Sequence, residues 1–303
     1  MTQVQSSYSE FQQRLAEAGV SFRLGPVVVD VSSDIPAVAE GLWRFYADYP
    51  AAGDDGYADF HVRLFQVGGF RRWFRPQVQF GMDGRHPFKP LPLEQAFPMF
   101  EWTLNWCVAT YAHQFLIFHS AVVERDGVAA ILAAPSGSGK STLCAALANR
   151  GWRLFTDELA LIDLHDGQLV PFPRPVGLKN ESIQVIRDYA PEAVIGPSYH
   201  DTRKGTVAHM KASADSIVRA GDRARPGWVI FPHYLRQTDV SIRPIKKAAA
   251  GLSLIENSFN YHVLGQVGFE ALAGVLDRSH CFEFSYSNLD EAIAVFESLE
   301  PPL

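Results

Sequence analysis

The amino-acid sequence predicts a mixed α/β fold, with a smaller β-rich module at residues 1–95 and a larger α/β domain at residues 96–303. Two observations lead to this prediction. Short apolar runs separated by glycines fill residues 26–90, which is typical of strands joined by turns. Farther along, an apolar run at residues 128–133 leads through a glycine-rich loop into a stretch of good helix formers, the pattern of a buried strand followed by a helix.

Composition and charge narrow the class of protein. The chain has 303 residues, 47% of them hydrophobic and 20% charged, which is ordinary for a globular protein with a sizeable core. The formal net charge of −6 does not favour nucleic acid or an anionic membrane as a partner. The chain starts without the basic flank and apolar core of a signal peptide, and no apolar run reaches the ~18 residues of a membrane span. Three scattered cysteines without metal-site spacing indicate buried thiols, so we expect a cytoplasmic protein.

The N-terminal module is predicted to begin with a helix and continue as strands. Residues 9–19 have the apolar spacing of a short amphipathic helix, and residues 27–31, 58–65 and 77–80 predict strands. Residues 69–76 mix arginines with aromatic residues. This mixture favours an amphipathic edge strand whose arginine stems cover the rings, and the alternative is a docking face for an acidic or phosphorylated partner.

A proline cluster at positions 87, 90 and 92 marks the end of this module, and we place the domain boundary near residues 90–100. A long helix is predicted over residues 98–112, with Pro98 in the first helical position, where its missing N–H has no partner to lose. Because this helix is apolar nearly all round, we expect it to be buried between the two modules.

A hairpin is predicted in front of the glycine-rich loop. Residues 114–124 and 128–133 both have strand character, and Asp126-Gly127 between them is a strong signal of a two-residue turn. His119 lies inside the first of these runs. A lone histidine in a strand is more often a satisfied core residue, but next to this loop it could equally orient an acidic residue or bind a phosphoryl oxygen.

The glycine-rich loop, residues 134–142, matches a phosphate-binding loop and so indicates a nucleoside triphosphate. Gly137 and Gly139 let the backbone turn so that several N–H groups converge on one concavity. Lys140 can reach the β- and γ-phosphates, the Ser141 hydroxyl can bind Mg²⁺, and the next helix points its positive end at the anion. Ala134 stands where the pattern prefers glycine, which the loop tolerates only if this residue has a negative φ.

Two adjacent carboxylates, Asp157 and Glu158, follow a strand predicted at residues 152–156. An acidic residue in this place handles the metal ion or takes the proton of the acceptor hydroxyl during phosphoryl transfer. We therefore expect Asp157 to be functional. Asp163, a few residues later, has the setting of a turn aspartate instead.

Cations that could contact phosphate or substrate occur in two later loops, at Arg174 and Lys179 and at Arg203 and Lys204. The alternative is that these residues are solvated surface cations. Strands are predicted within residues 226–247, and the pattern turns helical from residue 248 onward. The sequence assigns no role to a polar patch in that region, formed by Asn257, Ser258, Asn260 and His262.

These features occur in an order that resembles a known family. The chain is similar to the catalytic domain of HPr kinase/phosphorylase, a bacterial serine kinase, in the succession of His119-Ser-Ala-Val-Val, the hairpin, Ser136-Gly-Ser-Gly-Lys-Ser, a helix and Gly151-Trp-Arg-Leu-Phe-Thr-Asp-Glu158. This resemblance covers about residues 112–303 and is sharp through residues 119–158. Over its whole length the chain resembles the HPr kinase-related "kinase A" family, with matching runs at residues 71–78 and 101–107.

The resemblance implies a P-loop kinase domain of the type shared with phosphoenolpyruvate carboxykinase, a mixed β core flanked by helices. It also implies ATP, Mg²⁺, a serine hydroxyl as acceptor and a homo-oligomer. By position, Asp157 corresponds to the catalytic base, and His119 and Lys140 to further catalytic groups. Ser141 and Glu158 correspond to metal ligands. The residues implied to bind ATP are Ser136, Gly137, Ser138, Gly139, Lys140, Ser141 and Thr142.

Three differences from HPr kinases favour another acceptor than HPr. Thr142 replaces an acidic residue of the family, Ala134 replaces the first loop glycine, and residues 174–179 stand where the family has a characteristic signature. We therefore predict a kinase that phosphorylates a serine of a small protein or peptide of unknown identity. The alternatives are a small-molecule kinase and an ATP-binding regulatory protein that transfers no phosphate.

Overall fold

The predicted mixed α/β class is confirmed by the computed structural model, which describes residues 7–52 and 56–302. The strands are β1 (Val20–Leu24), β2 (Val27–Ser33), β3 (Phe60–Gln66), β4 (Gln77–Met82), β5 (Leu91–Pro92), β6 (Phe115–Phe118), β7 (Ser120–Arg125), β8 (Val128–Ala133), β9 (Arg153–Thr156), β10 (Ala160–Asp163), β11 (Leu169–Val170), β12 (Val176–Lys179), β13 (Tyr199–Thr202), β14 (Gly205–Met210), β15 (Arg225–Tyr234), β16 (Ser241–Pro244) and β17 (His280–Tyr286). The helices are α1 (Tyr8–Glu17), α2 (Pro36–Tyr46), α3 (Arg71–Phe74), α4 (Ala96–Tyr111), α5 (Lys140–Ala148), α6 (Glu181–Tyr189), α7 (Ala214–Val218), α8 (Lys247–Glu256), α9 (Tyr261–Leu264), α10 (Gln266–Asp277) and α11 (Leu289–Glu297).

The N-terminal part contains a five-stranded sheet in the order β1-β2-β3-β4-β5, in which β2 and β3 are parallel and the other neighbours antiparallel. The predicted helix is confirmed as α1, and the three predicted strands as β2, β3 and β4. The sequence prediction missed β1 and α2. Val38, Leu42 and Phe45 form the buried face of α2, so this part of the chain is less purely β than expected.

The arginine and aromatic segment at residues 69–76 does not form the predicted edge strand. It connects β3 to β4, whose pairing ends at Gln66 and Val78, and it contains the short helix α3. Its aromatic rings stay largely open to water, because Phe70, Trp73 and Phe74 are 80%, 80% and 74% exposed. The Arg72 guanidinium does lie over the Trp73 ring, 5.8 Å from its centroid. The segment lies outside the ladder formed by β3 and β4, so its mixed arginine and aromatic side chains have no sheet face to line.

Helix α4 confirms the predicted long helix and joins the two parts of the chain. It packs against α2 and β4, and the rings of Phe45 and Phe97 stack at 5.3 Å. One continuous core contains buried residues from both sides of residue 95. The domain boundary there stays a prediction. The opposite face of α4 is not fully buried, because Trp102 and Trp106 remain partly exposed.

The C-terminal part is built on a six-stranded sheet in the order β16-β17-β15-β8-β7-β9. Its centre is parallel, since β15 pairs in parallel with both β8 and β17. The predicted hairpin is confirmed as β7 and β8, and Asp126 and Gly127 turn between them with φ of 53° and 79°. Two positive φ values in a two-residue loop match the twist of the strands on either side.

Two three-stranded sheets, β11-β10-β6 and β12-β14-β13, flank the large sheet. The chain passes from the first of them to the large sheet between β6 and β7, at His119. It passes back between β9 and β10, at residues 157–159. Because β6 pairs with β10 and β7 pairs with β9, these two crossings lie side by side. His119 therefore lies at a break between two strands, whereas the sequence predicted it inside one.

The rest of the C-terminal part agrees with the sequence in most elements. β15 and β16 confirm the strands predicted within residues 226–247. Helices follow from residue 247, but β17 interrupts them and was not predicted. Asn288 caps α11, where its side chain accepts hydrogen bonds from the N–H groups of Asp290 and Glu291. Cys107, Cys144 and Cys281 are buried free thiols, as expected.

None of the helices within residues 7–52 and 56–302 combines the length and the apolar character of a membrane span.

The buried ring of His209, on β14, makes the stability of the fold depend on pH. It is 4% exposed among Phe45, Phe97 and Tyr199, and its Nδ1 has no hydrogen-bond partner. Burial, helped by Arg174, lowers the pKa of His209 to about 3. The folded state therefore keeps this ring neutral, while the unfolded chain takes up a proton below its ordinary pKa of about 6.5. The neutral His209 ring therefore stabilises the folded state fully above about pH 6.5. This stabilisation is lost progressively as the pH falls towards 3.

We expect His209 alone to reduce the free energy of unfolding by about 2 kcal/mol between pH 7 and pH 5. Urea unfolding at both pH values measures this loss. His209→Phe should remove that part of the loss, whereas the same change at the exposed His200 should not. An equal pH dependence in both variants would show that His209 is not the sensitive group.

Candidate functional site

The part of the glycine-rich loop that connects β8 to α5 consists of residues 134–139. Gly137 and Gly139 have φ of 90° and 89°, in the left-handed region that favours glycine. The Ser138 hydroxyl donates to the Pro135 carbonyl at 2.8 Å. Ala134 is 1% exposed and has no positive φ, which meets the condition that the sequence set for an alanine there.

Two tyrosines hold the end of this loop in place. The Tyr286 hydroxyl donates to the Gly139 carbonyl at 3.0 Å, and the Tyr234 N–H donates to the Ser138 carbonyl at 2.9 Å. Ser136 and Gly137 at the tip are exposed. Helix α5 begins at Lys140, so its first N–H groups and its positive end face the loop. Ser141 and Thr142 lie half-buried in its first turn.

Lys140 is buried beneath the loop. Lys140 is 6% exposed, and its Nζ donates to the His119 carbonyl at 3.3 Å. Burial lowers the pKa of this ammonium, although the Asp157 and Glu158 carboxylates act in the opposite direction. A buried cation with one neutral acceptor and two carboxylates nearby is well placed to receive an anion.

His119 and Glu158 form a pair across the two crossings between sheets. His119 Nε2 donates to Glu158 Oε2 at 3.0 Å. Burial acts to raise the pKa of Glu158, but the hydrogen bond from His119 and the charge of Lys204 outweigh it and hold that pKa below its ordinary value. Glu158 is therefore an ionised acceptor that fixes the orientation of the imidazole ring.

Asp157 differs from its neighbour in both contacts and charge. It is 5% exposed, and Oδ2 accepts the Gly177 N–H at 3.1 Å, while Oδ1 is buried without a hydrogen-bond partner. Burial and the adjacent Glu158 charge raise the pKa of Asp157 to about 6, against the effects of Lys140 and of the nearby Ser141 hydroxyl. A buried carboxylate oxygen without a partner in the protein is suited to bind a hydroxyl, cation or water. A carboxyl whose pKa lies near neutrality is suited to accept a proton.

The structure brings together only some of the predicted cations. Lys179 and Lys204 are close enough to influence the charges of Asp157 and Glu158. Arg203 is exposed on the hairpin between β13 and β14. Arg174 is 6% exposed, and its guanidinium donates to Asn105 Oδ1 at 2.6 Å and lies 3.6 Å from Glu101 Oε2. Arg174 thus serves an internal ion pair between α4 and the chain before β12.

Asp163 is a turn aspartate, as the sequence indicated. Its Oδ1 accepts the His165 N–H at 2.8 Å, and its Oδ2 lies 3.0 Å from Arg223. Both carboxylate oxygens of Asp163 therefore have partners, at the end of β10 that lies away from the site. Asp157 and Glu158 remain as the acidic pair of the site.

The polar patch to which the sequence assigned no role positions His119. The Asn257 carbonyl accepts the His119 N–H at 2.7 Å, and Asn260, 0% exposed, bonds to both Phe115 and Ile117. These contacts take the place of a neighbouring strand along β6. The side-chain amides of this patch were a signal that it binds main-chain groups. The sequence could not identify the partner, because β6 is more than 140 residues away in the chain.

An apolar cleft of about 590 Å³ opens beside the His119–Glu158 pair. Helix α4 forms one wall and residues 259–263 form another. The lining of the cleft includes Trp102, Trp106, His119, Glu158, Lys204, Phe259 and Val263.

The donor set at this point suits Mg²⁺, which prefers hard oxygen ligands. Ser141 contributes a hydroxyl near the Asp157 carboxylate. Glu158 contributes an ionised carboxylate. Within the described residues no group of three or more His, Cys, Asp or Glu side chains forms a metal cluster. Mg²⁺ bound here would therefore complete its shell with phosphate oxygens and water, as it usually does.

Comparison with known proteins gives little beyond the geometry. No family profile matches the chain, and no curated protein matches it. Among solved structures, the HPr(Ser) kinase/phosphatase from Coxiella burnetii is similar at 11% sequence identity, over 59% of this chain and 90% of that one, with a TM-score of 0.24. A likeness at this TM-score carries no argument about function.

The two loop glycines should differ in their tolerance of a side chain. A Cβ at Gly139 would lie 2.5 Å from the Tyr286 hydroxyl oxygen and 2.8 Å from Tyr234 Cβ, whereas a Cβ at Gly137 meets nothing within 4 Å. We expect Gly137→Ala to cost only the left-handed backbone strain, about 1–2 kcal/mol of unfolding free energy. Gly139→Ala should cost clearly more in the same urea titration, and equal losses would contradict this packing.

Asn260 and Asn257 provide a second matched pair. Asn260→Ala leaves the Phe115 carbonyl and the Ile117 N–H without their partner, and an unsatisfied buried group costs about 1–3 kcal/mol. Asn257→Ala removes only a side-chain bond to Ser253 in its own helix and keeps the main-chain contact with His119. Urea unfolding should show the larger loss for Asn260→Ala. A larger loss for Asn257→Ala would refute this account of β6.

Proposed function

We propose that this chain is an ATP- and Mg²⁺-dependent kinase that transfers the γ-phosphoryl group to a hydroxyl, a serine of a small protein or peptide. One observation carries the proposal. The buried Lys140 ammonium, the partnerless Oδ1 of buried Asp157 and the His119–Glu158 pair meet at the end of the glycine-rich loop, where α5 begins. Cation, proton acceptor and helix N-terminus are the parts that phosphoryl transfer requires.

The phosphates of ATP would lie against the glycine-rich loop. N–H groups of residues 136–142 and the positive end of α5 bind phosphate oxygens, and Lys140 neutralises charge on the terminal phosphates. Ser141 and Glu158 would hold Mg²⁺, which when bound offsets the negative charge that develops on the transferred group. Tyr234 and Tyr286 keep the loop in its phosphate-binding shape through their contacts with Ser138 and Gly139.

Asp157 would act as the general base. As the acceptor oxygen forms its bond to the γ-phosphorus, the bond from that phosphorus to the bridging β–γ oxygen breaks, and the hydroxyl proton passes to Asp157. The products are ADP and a phosphate monoester. His119 holds Glu158 in place and, through its carbonyl, holds Lys140, so it links the phosphate side of the site to the acceptor side.

A small alcohol is the second candidate acceptor. The cleft beside His119 has a volume of about 590 Å³, within the usual range for sites that bind small molecules.

Replacing Asp157 by asparagine separates binding from chemistry. Asp157→Asn should keep the binding of Mg²⁺-ATP, measured by titration calorimetry. It should slow the transfer of the γ-phosphoryl group from ATP to water, measured as phosphate release, by about 10²–10⁴-fold, because the general base is lost.

The matched control is Asp201→Asn, which removes the same charge from an exposed side chain near Lys204 and should leave phosphate release unchanged. Undiminished phosphate release in Asp157→Asn would contradict the assigned role. Failure of the native protein to bind Mg²⁺-ATP would refute the proposed function itself.

A further inference from the structure

The cleft and the glycine-rich loop meet at one residue, His119. Its carbonyl faces Lys140 Nζ on the side of the loop, at 3.3 Å. Its ring faces Glu158 and the ring of Phe259, with 5.8 Å between the ring centroids, on the side of the cleft. A group seated in the cleft would therefore lie next to the proposed phosphate site, with His119 and Glu158 at the junction of the two.

The walls of the cleft are aromatic and aliphatic, although it ends at charged groups. Trp102 and Trp106 lie one turn apart on α4 and remain partly exposed, and Phe259 and Val263 face them from the other wall. Apolar walls favour an occupant that covers them with apolar surface. A serine side chain alone is far too small for a space of about 590 Å³, so most of the contact must come from groups next to the hydroxyl.

One cation stands at this cleft. Lys204 lies over the ring of Trp102, with Nζ 5.7 Å from the ring centroid. Glu158 attracts it electrostatically, but no carboxylate pairs with it directly among the ion pairs of the described residues. A carboxylate on the occupant would find a partner here.

One wall of the cleft is itself open to water. Phe259 is 42% exposed and Val263 is 56% exposed. A small alcohol seated inside would leave much of this wall in water, whereas a chain that passes through the cleft would cover it.

We propose that the cleft is the acceptor site and that it takes a polypeptide segment in which a serine is next to a large apolar side chain, with an acidic residue placed to reach Lys204. This inference rests on the proposed function, since it names the acceptor of that reaction. The serine hydroxyl would point towards Asp157 past His119, and the apolar neighbour would lie between the tryptophans of α4 and the 259–263 wall.

Positional-scanning peptide libraries with a fixed central serine test this proposal. Native protein is incubated with each library, Mg²⁺ and γ-labelled ATP, and label in peptide is compared with label released as phosphate. We expect preference for aromatic or large aliphatic residues beside the serine and for an acidic residue at one flanking position. The preference for apolar residues should be about tenfold or more, the usual scale for one well-filled apolar contact.

Two valine variants link that preference to the cleft. Val263→Asp places a charge on the cleft wall, and Val218→Asp places the same charge on an 81% exposed valine of α7, away from it. Val263→Asp should lower the ratio of peptide phosphorylation to phosphate release by about tenfold or more, and Val218→Asp should not change it.

The outcomes separate the two proposals. Peptide labelling without an apolar preference, or equal ratios in the two valine variants, would overturn the assignment of the cleft and leave the kinase proposal intact. Phosphate release with no labelled peptide would overturn the polypeptide acceptor and favour a small alcohol. Neither binding nor turnover of Mg²⁺-ATP would refute the proposed function and this inference together.

Discussion

The arrangement of the site depends on two places, side by side, where the chain crosses from one sheet to another. β6 and β10 pair in one sheet, and their continuations β7 and β9 pair in another. At such a crossing the backbone leaves the ladder, so side chains can point into the space between the sheets and main-chain groups are free to bind elsewhere. His119 occupies one crossing, and Asp157 and Glu158 occupy the other. The Asn257–Asn260 segment supports the first crossing by pairing with β6.

Burial then sets the charges of the groups that meet there. Removing Lys140 from water is unfavourable unless opposite charge lies nearby, and the two carboxylates supply it. They are not equivalent. Glu158 accepts from His119 and stays ionised, while Asp157 has one oxygen without a partner and a raised pKa. Adjacent carboxylates with opposite pKa shifts suit different tasks, one as a fixed anion and the other as a proton acceptor.

The local elements of this site could be predicted from the sequence, but their surroundings could not. The glycine-rich loop, the hairpin and the acidic pair depend on residues close together in the chain, and the structure contains them where expected. The sequence leaves Arg174 as either a phosphate or substrate contact or a solvated surface cation, because no residue close to it in the chain indicates a partner. Its partners, Glu101 and Asn105, are about 70 residues away. The same holds for β17, which forms by pairing with β15, and for Asn260, whose role depends on a distant strand.

A crystal structure with Mg²⁺ and a non-hydrolysable ATP analogue tests the central claim most directly. The account predicts that the analogue's phosphates lie against residues 136–142, with the terminal phosphate in contact with Lys140 Nζ. It also predicts that this phosphate faces Asp157 and an open path from the cleft beside His119. Phosphates bound elsewhere on the chain, or a terminal phosphate separated from Asp157 by closed protein, would contradict it.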